Sequence, residues 1–176
     1  MSQHTQPVFD PNEVISFNDA MMEKITAVIN KFPEGKEKSA VIRMLHIAQA
    51  EFGWVSVPAM NKIAEILSIQ PVEVYEVASF YTMFHLQPVG KHVFEVCRTG
   101  PCALVGSDEL ISYIQDKLNI QVGETTADGL FTLKTAECLG GCGYGPLLQC
   151  RNQYHEHLTP EKVDALIEQY KSGQIQ

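Results

Sequence analysis

The segment QPVGKHVFEVC, residues 87–97, marks a change in the spacing of apolar residues along the chain. Before it, apolar residues recur every three or four positions, which is the spacing of amphipathic helices. Within it the period shortens towards two, which is typical of a β-strand. Pro88 and Gly90 favour a connection between two elements at this point. The sequence therefore predicts two structural units, of which the first is helical.

The first unit is predicted to be a helical bundle. Ser16 followed by Asp19 resembles a capping box that would begin the first helix. Gly53 is placed to end a second helix, and Ser56 is placed to begin a third. A fourth helix, with Pro71 in its first turn, is predicted over residues 72–84.

This fourth helix is apolar nearly all round. One small bundle face cannot cover so many large side chains. We interpret it as a buried core helix, with a protein–protein contact face as the alternative. The apolar residues are Val74, Tyr75, Val77, Ala78, Phe80, Tyr81 and Phe84.

The second unit is predicted to have the element order β-α-β-β-β-α. A strand–helix–strand crossover makes the first two strands parallel and right-handed. That order is the order of a thioredoxin-like core. The fold class is therefore α+β, with an N-terminal helical bundle followed by a thioredoxin-like domain with a mixed sheet. The predicted elements cover residues 92–97, 105–118, 130–137, 146–150 and 153–157, and a helix that begins after Thr159 and Pro160. The predicted domains are a flexible tail, 1–10, the helical bundle, 11–90, and the thioredoxin-like domain, 91–176.

Four of the five cysteines form two pairs with the spacings C-x4-C and C-x3-C. Each pair begins where one of the two predicted parallel strands ends. Parallel strands present their carboxyl ends at the same edge of a sheet, where open α/β sheets usually bind ligands. The sequence therefore predicts that the thiols of Cys97, Cys102, Cys138 and Cys142 meet at one edge.

The spacing of the pairs favours an iron–sulfur cluster. Structural zinc is typically held by C-x2-C links, whereas links of three and four residues open a wider cage. Such a cage fits a [2Fe–2S] cluster in which each pair serves a different iron. A zinc-bound structural scaffold and a redox dithiol remain as alternatives. The glycines around the cysteines allow close backbone approach and leave N–H groups free to donate to sulfur.

Several neighbouring residues carry further expectations. A helix after Cys102 is expected to aim its positive end at the site. Arg98 is expected to raise the reduction potential and Glu137 to lower it. Cys150 is interpreted as a small buried hydrophobic residue rather than a fifth ligand. His155 and His157, predicted on one strand face, are interpreted as surface histidines.

Charge and missing motifs exclude several functions. The chain has 13 basic and 21 acidic residues, a net charge of −8, which argues against nucleic acid or an anionic lipid surface as the main partner. No apolar run reaches the roughly 18 residues that a membrane-spanning helix needs. The first residues have no signal-peptide pattern. No nucleotide-binding glycine motif and no general acid–base pair is found, so the chain is expected to transfer electrons.

Longer stretches of the sequence resemble a known family. The block VYEVASFYTMF at 74–84, FGW at 52–54, the first cysteine pair and ECLGGC at 137–142 look like the NuoE family of subunits of respiratory NADH:quinone oxidoreductase, complex I. The resemblance covers about residues 15–172. The glycines at 141 and 145 depart from the commoner alanines of the family, and the four cysteines do not.

The resemblance implies a function in a complex. The chain would be the electron-transfer subunit of the NADH dehydrogenase module, carrying one [2Fe–2S] cluster. Its partner would be a NuoF-like flavoprotein subunit that holds FMN, the NADH site and a [4Fe–4S] cluster, with the helical unit as a docking element. It would lie in the cytoplasm, peripheral to the inner face of the bacterial membrane. The equivalent subunit of an NAD-linked hydrogenase or formate dehydrogenase is the alternative. By the motif match the four ligands are Cys97, Cys102, Cys138 and Cys142.

Overall fold

The computed structural model describes residues 15–175, and the chain divides between Pro88 and Val89 into two compact units. The tail predicted at 1–10 lies outside the described residues. Within 15–175, no helix is both long and apolar enough to span a membrane.

The first unit consists of helices around one apolar core. The helices are α1 (Asp19–Ile29), α2 (Val41–Phe52), α3 (Val57–Leu67) and α4 (Pro71–Phe80), and a 3₁₀ turn (Glu37–Ala40) precedes α2. Their apolar faces meet in a core that excludes water from the side chains of Ile25, Met44, Leu45, Ala48, Ile63, Ala64 and Val74.

The helix ends follow local capping chemistry. Gly53 ends α2 in the left-handed conformation, with φ +80°, and Ser56 caps α3 by accepting a hydrogen bond from the Ala59 N–H. Both predictions are confirmed. The capping box at Ser16 is wrong. Asn18 caps α1 instead, because its side chain accepts the Met21 N–H at 2.9 Å and the helix begins at the next residue.

Helix α4 is shorter and more exposed than the sequence predicts. It ends at Phe80, and the chain then turns because the Gln49 side chain bonds the Met83 carbonyl (2.9 Å) and the His85 N–H (2.7 Å). Only Val74 and Ala78 of α4 are buried. The interpretation as a buried core helix is therefore wrong. A row of apolar side chains remains exposed: Val72, Tyr75, Phe80, Tyr81 and Met83.

The second unit is built on a four-stranded mixed sheet in the order β2-β1-β3-β4. Strand β1 runs parallel to β2 and antiparallel to β3, and β3 and β4 form an antiparallel hairpin. The predicted α+β class and thioredoxin-like order are confirmed. The strands are β1 (His92–Cys97), β2 (Phe131–Ala136), β3 (Leu148–Cys150) and β4 (Gln153–His155), and the helices are α5 (Pro101–Leu104), α6 (Ser107–Leu118) and α7 (Pro160–Ser172).

The first crossover differs from the prediction of one helix over 105–118. It contains two helices, α5 and α6. Gly106, between them, takes the left-handed conformation with φ +95°, which a continuous right-handed helix cannot contain. Cys102 lies inside α5 rather than before a long helix. Helix α6 follows Cys102, and the expectation that its positive end is aimed at the site stays a prediction.

The core of the second unit lies between the sheet and the helices α6 and α7. Phe94 and Phe131 contact each other edge-on, with ring centroids 5.2 Å apart, and Tyr170 of α7 packs against Phe94 at 5.6 Å. Thr159 caps α7 as predicted, by accepting the Lys162 N–H. These contacts hold β1 and β2, whose ends carry the cysteines, in a fixed register.

His92 is buried in this core. It is the first residue of β1, whereas Cys97 is the last. His92 is 1% exposed, and its ring packs at a tilt against Tyr170 at 4.7 Å and Phe131 at 5.6 Å. Within residues 15–175, neither ring nitrogen has a hydrogen-bond partner. Burial first, and then the charges of Arg151 and Lys91, lower the pKa of His92. Folding therefore favours the neutral form of this imidazole.

Acidification is expected to destabilise the protein through His92. An unfolded histidine has a pKa of about 6.5, so between that value and the lower folded pKa only the unfolded chain binds the proton. The free energy of unfolding is expected to fall as the pH is lowered from about 7.5 to about 5.5, as measured by urea unfolding. His92→Phe keeps an aromatic ring at the position and should reduce this dependence. The remainder comes from His46 and His155, because burial lowers the pKa of each of these side chains too. The exposed His157→Gln serves as the control, and an equal pH dependence in the two variants would contradict the assignment.

Candidate metal centre

The first cysteine pair lies on the inner side of the site. Cys97 is the last residue of β1, and its N–H donates to the Leu147 carbonyl at 3.1 Å. Cys102 follows in the first turn of α5, with its N–H bonded to the Thr99 carbonyl at 3.1 Å. The two residues are 3% and 1% exposed. The protein therefore removes this pair from water.

The second cysteine pair lies on the outer side. In the parallel ladder Cys97 stands opposite Ala136, so Cys138 follows two residues after the end of β2. Cys142 begins a 3₁₀ turn that ends at Tyr144. Cys138 and Cys142 are both exposed. The parallel register thus brings the two pairs to one edge of the sheet, as the topology predicts.

Contacts between the two cysteine loops hold them together. The Thr99 hydroxyl of the first loop donates to the Glu137 carbonyl at the start of the second loop. Further along, the backbone at Gly145 passes so close to Cys102 that a Cβ on Gly145 would lie 3.2 Å from the Cys102 Sγ. The loops therefore touch at both ends of the second cysteine pair.

The thiols influence one another electrostatically. Burial raises the pKa of Cys102 to about 11, and the hydrogen bond to Cys97 and the charges of the other three thiolates act in the same direction. Burial alone would raise the pKa of Cys97 as well, but hydrogen bonds outweigh it and the pKa lies below its ordinary value. The donors are the N–H groups of Leu139 and Thr99 and the Cys102 thiol. The charges of the other three cysteines thus act on Cys102.

Apolar side chains pack against the inner cysteine pair. Leu147 is fully buried and packs with Cys97 and Cys102, and Leu139 of the second loop adds to the same cluster. Low polarity around the inner sulfurs strengthens every electrostatic interaction that they make.

One peptide of the second loop donates directly to a cysteine. The Gly140 N–H points at the Cys138 Sγ, with 3.4 Å between nitrogen and sulfur. Gly140 has φ +76°, a conformation that an alanine would adopt only at a cost of about 1–2 kcal/mol. The expected role of the glycines, backbone donation to sulfur, is seen at this position.

Arg98 and Glu137 neighbour each other at the rim. The Arg98 Nε lies 4.0 Å from the Glu137 Oε1, and both side chains are largely exposed. The sequence predicts opposite effects of these two charges on the reduction potential. Their opposite effects stay predictions.

Of the remaining candidates, only His157 contacts a cysteine loop among the described residues, through its N–H, which donates to the Tyr144 carbonyl at 2.9 Å. Cys150 is fully buried in the core of the second unit, as predicted. His155 is half-buried, with its Nε2 3.0 Å from the Tyr170 hydroxyl. His157 lies beyond the end of β4 with φ +49°, so the expectation that the two histidines share a strand face is wrong.

Two residues of the site were missed by sequence reasoning. Thr99 links the loops, and Tyr154 on β4 donates from its hydroxyl to the Leu139 carbonyl at 2.7 Å. The position of Thr99 between two cysteines is a signal that the sequence offers. Tyr154 offers none, because its contact spans 15 residues and depends on the hairpin.

The donor set fits iron–sulfur chemistry. All five cysteines are free thiols, and among residues 15–175 no group of three or more His, Cys, Asp or Glu side chains is arranged around a single ion. Thiolates are the ligands that iron–sulfur clusters take, and backbone N–H groups directed at sulfur are typical of their surroundings. Two thiol pairs on separate loops offer one pair to each iron of a two-iron cluster.

A thioredoxin-like sheet with a thiol loop at the end of each parallel strand defines a class of small redox domain. The sequence profile of the thioredoxin-like [2Fe–2S] ferredoxin matches residues 25–171, and the chain belongs to this family. The family implies a [2Fe–2S] cluster.

Two relatives match nearly the whole chain. An NADH-quinone oxidoreductase subunit of Rhizobium meliloti (strain 1021) is 40% identical over 154 residues, 88% of this chain and 90% of the relative. The mitochondrial NADH dehydrogenase [ubiquinone] flavoprotein 2 of Dictyostelium discoideum is 40% identical over 176 residues, 98% of this chain and 71% of the relative. The resemblance to the subunit family of complex I is confirmed.

A solved structure shares the fold. The NAD+-reducing [NiFe]-hydrogenase in its air-oxidized state superposes with a TM-score of 0.68 over 78% of this chain and 23% of the hydrogenase chain. The two sequences are 23% identical, so this likeness shows the fold alone.

Proposed function

We propose that this protein is the electron-transfer subunit of the NADH dehydrogenase module of a respiratory complex I. It holds one [2Fe–2S] cluster on Cys97, Cys102, Cys138 and Cys142, and the cluster exchanges electrons with FMN in a NuoF-like flavoprotein partner. FMN and NADH bind to that partner, and this chain is the carrier. As part of the complex it lies on the cytoplasmic side of the bacterial inner membrane.

The observation that carries the proposal is the meeting of the two cysteine loops at one edge of the sheet. Parallel pairing places Cys97 opposite Ala136, and the Thr99 hydroxyl bonds the Glu137 carbonyl. The relatives at 40% identity, named as parts of NADH dehydrogenases, support the parent complex.

Different residues of the site have different roles in electron transfer. A bound [2Fe–2S] cluster accepts and returns one electron. Leu147 keeps water from the inner cysteine pair, and the N–H groups of Leu139 and Gly140 donate to the sulfurs of Cys97 and Cys138. Donation to sulfur favours the more negative, reduced state. The exposed outer pair gives the electron a path to a partner.

Exposed apolar side chains support contact with a partner. Leu104 and Val105, which follow Cys102, are 89% and 53% exposed. In the helical unit, Phe80 of α4 is 75% exposed beside the exposed Tyr81, and their rings contact each other edge-on at 5.0 Å. Apolar groups in this number on a surface typically mark a protein interface.

Phe80→Glu is expected to weaken the association with the flavoprotein partner. The change places a charge on an apolar surface and removes a large anchor, so we expect at least a tenfold loss of affinity, about 1.4 kcal/mol or more. Affinity is measured by titrating the tagged partner with the purified chain. Asn61→Glu on α3 adds the same charge at an exposed polar residue and should bind normally. Equal binding by both variants would show that Phe80 of α4 does not contribute to the interface.

Iron content and spectroscopy test the proposed cluster. The purified chain, reconstituted without oxygen, is expected to contain two irons per chain, to absorb in the visible range and to give an EPR signal after reduction with dithionite. Less than one iron per chain would count decisively against the cluster. A colourless, EPR-silent protein loaded with zinc would show a structural scaffold instead.

Purification from the host tests the parent complex. The expected partners are the other components of the NADH dehydrogenase module. The second candidate is the equivalent diaphorase-type subunit of an NAD-linked hydrogenase or formate dehydrogenase. Co-purification with the catalytic component of a hydrogenase or formate dehydrogenase would refute the respiratory assignment.

A further inference from the structure

Tyr154 reaches the second cysteine loop from outside it. It lies in β4, the last strand of the sheet, and its side chain is 50% exposed. Its hydroxyl donates to the Leu139 carbonyl with 2.7 Å between the oxygens. Leu139 stands between Cys138 and Gly140, so the contact joins the hairpin to the middle of the loop.

The Leu139 carbonyl and the Gly140 N–H belong to the same peptide group. A trans peptide is planar, and its C=O and N–H point to opposite sides. The Tyr154 hydroxyl therefore holds one side of this peptide, while the Gly140 N–H on the other side is directed at the Cys138 Sγ at 3.4 Å. Fixing the oxygen fixes the direction of the N–H.

The two hydrogen bonds also strengthen each other. A donor on the carbonyl oxygen polarises the peptide and makes its N–H a better donor. Without the hydroxyl, only the long contact of the Gly140 N–H with the Cys138 Sγ holds the plane of this peptide. Gly140, with φ +76° and no neighbouring atom within 4 Å of a Cβ position, leaves the peptide room to rotate.

We propose that Tyr154 is a positioning residue for the cluster and raises its reduction potential through the Leu139–Gly140 peptide. The inference rests on the proposed function, because it concerns a cluster bound through Cys138. Hydrogen bonds to a ligating sulfur stabilise the additional negative charge of the reduced state. Loss of the Tyr154 hydroxyl is therefore expected to lower the potential.

Tyr154→Phe removes only the hydroxyl, and Tyr144→Phe is the matched control. Tyr144 follows Cys142, is 54% exposed and packs its ring near His157 at 5.7 Å. Within residues 15–175 its hydroxyl donates to no other group. Both variants lose one hydroxyl from an exposed tyrosine near the loop, and only Tyr154→Phe breaks the contact with the peptide.

The readout is the midpoint potential of the full chain, from a redox titration followed by EPR. We expect Tyr154→Phe to titrate at a lower potential than the wild type and Tyr144→Phe to match the wild type. A wild-type potential in a cluster-loaded Tyr154→Phe protein would overturn the role of Tyr154 and leave the proposed function standing. A wild-type chain without a [2Fe–2S] signal would instead refute the proposed function, and this inference with it.

A second measurement, hydrogen exchange, tests the inference even if a variant does not bind the cluster. Hydrogen exchange at the Gly140 amide, followed by NMR in the cluster-free full chain, is expected to be faster in Tyr154→Phe than in the wild type and in Tyr144→Phe. Equal exchange in all three proteins would overturn the inference without reference to any cluster.

Discussion

Cys138→Ala is expected to abolish the [2Fe–2S] EPR signal and to leave less than one iron per chain after reconstitution. Cys138 follows the end of β2 and is exposed, and the Gly140 N–H is directed at its sulfur. A cluster with three remaining thiolates has one iron without its second protein ligand. Because the side chain is exposed, the fold is expected to persist, and circular dichroism measures this directly.

Cys150→Ala is the control for this prediction. Cys150 is fully buried in the core of the second unit, and burial raises the pKa of its thiol. Its replacement removes a small buried group and costs some stability. The variant is nevertheless expected to keep two irons per folded chain and the wild-type EPR signal. Cluster loss in Cys150→Ala together with an intact cluster in Cys138→Ala would reverse the ligand assignment.

Leu147→Ala is expected to destabilise the protein and to expose the inner cysteine pair. Leu147 is 0% exposed and packs directly on Cys97 and Cys102. Truncating a buried leucine typically costs about 2–5 kcal/mol, in part because a cavity remains. That cavity would lie against the inner sulfurs, so iron is expected to pass to a chelator faster than in the wild type. The rate is followed by the loss of visible absorption under conditions where the protein stays folded.

The neighbouring residue provides a matched control. Leu148 is also 0% exposed, but it packs in the main core between the sheet and the helices. Leu148→Ala is expected to lose a similar free energy of unfolding, measured in urea, while the folded protein retains its iron at the wild-type rate. If both variants released iron equally fast, general destabilisation would explain the faster iron loss. The packing of Leu147 on the inner cysteine pair would then have no separate role.

Much of the second unit was predictable because its signals are local. The alternation over 92–97, the turn at Arg151 and the cap at Thr159 each act over a few residues, and each appears in the structure. The right-handed crossover rule then made β1 and β2 parallel, and that alone placed the ends of both strands at one edge. The candidate site followed from topology rather than from any single residue.

The failures have two causes: a tertiary contact beyond the end of α4, and a competing local cap at the start of α1. Helix α4 was predicted to continue to Phe84, but Gln49 on another helix takes the backbone groups of Met83 and His85. Ser16 resembles a cap, yet Asn18 offers a better placed acceptor. For α4, the sequence pattern does not contain the position of Gln49 relative to the helix end.

By itself the sequence determined the order of the elements, the pairing of the cysteines and the residues that could serve as ligands, because period, turn chemistry and spacing are properties of neighbouring residues. Only the tertiary structure decided which pair is buried, that Arg98 and Glu137 neighbour each other, and that the Tyr154 hydroxyl holds the peptide before Gly140. Those features depend on distances between segments far apart in the chain, which packing of the sheet and its hairpin alone fixes.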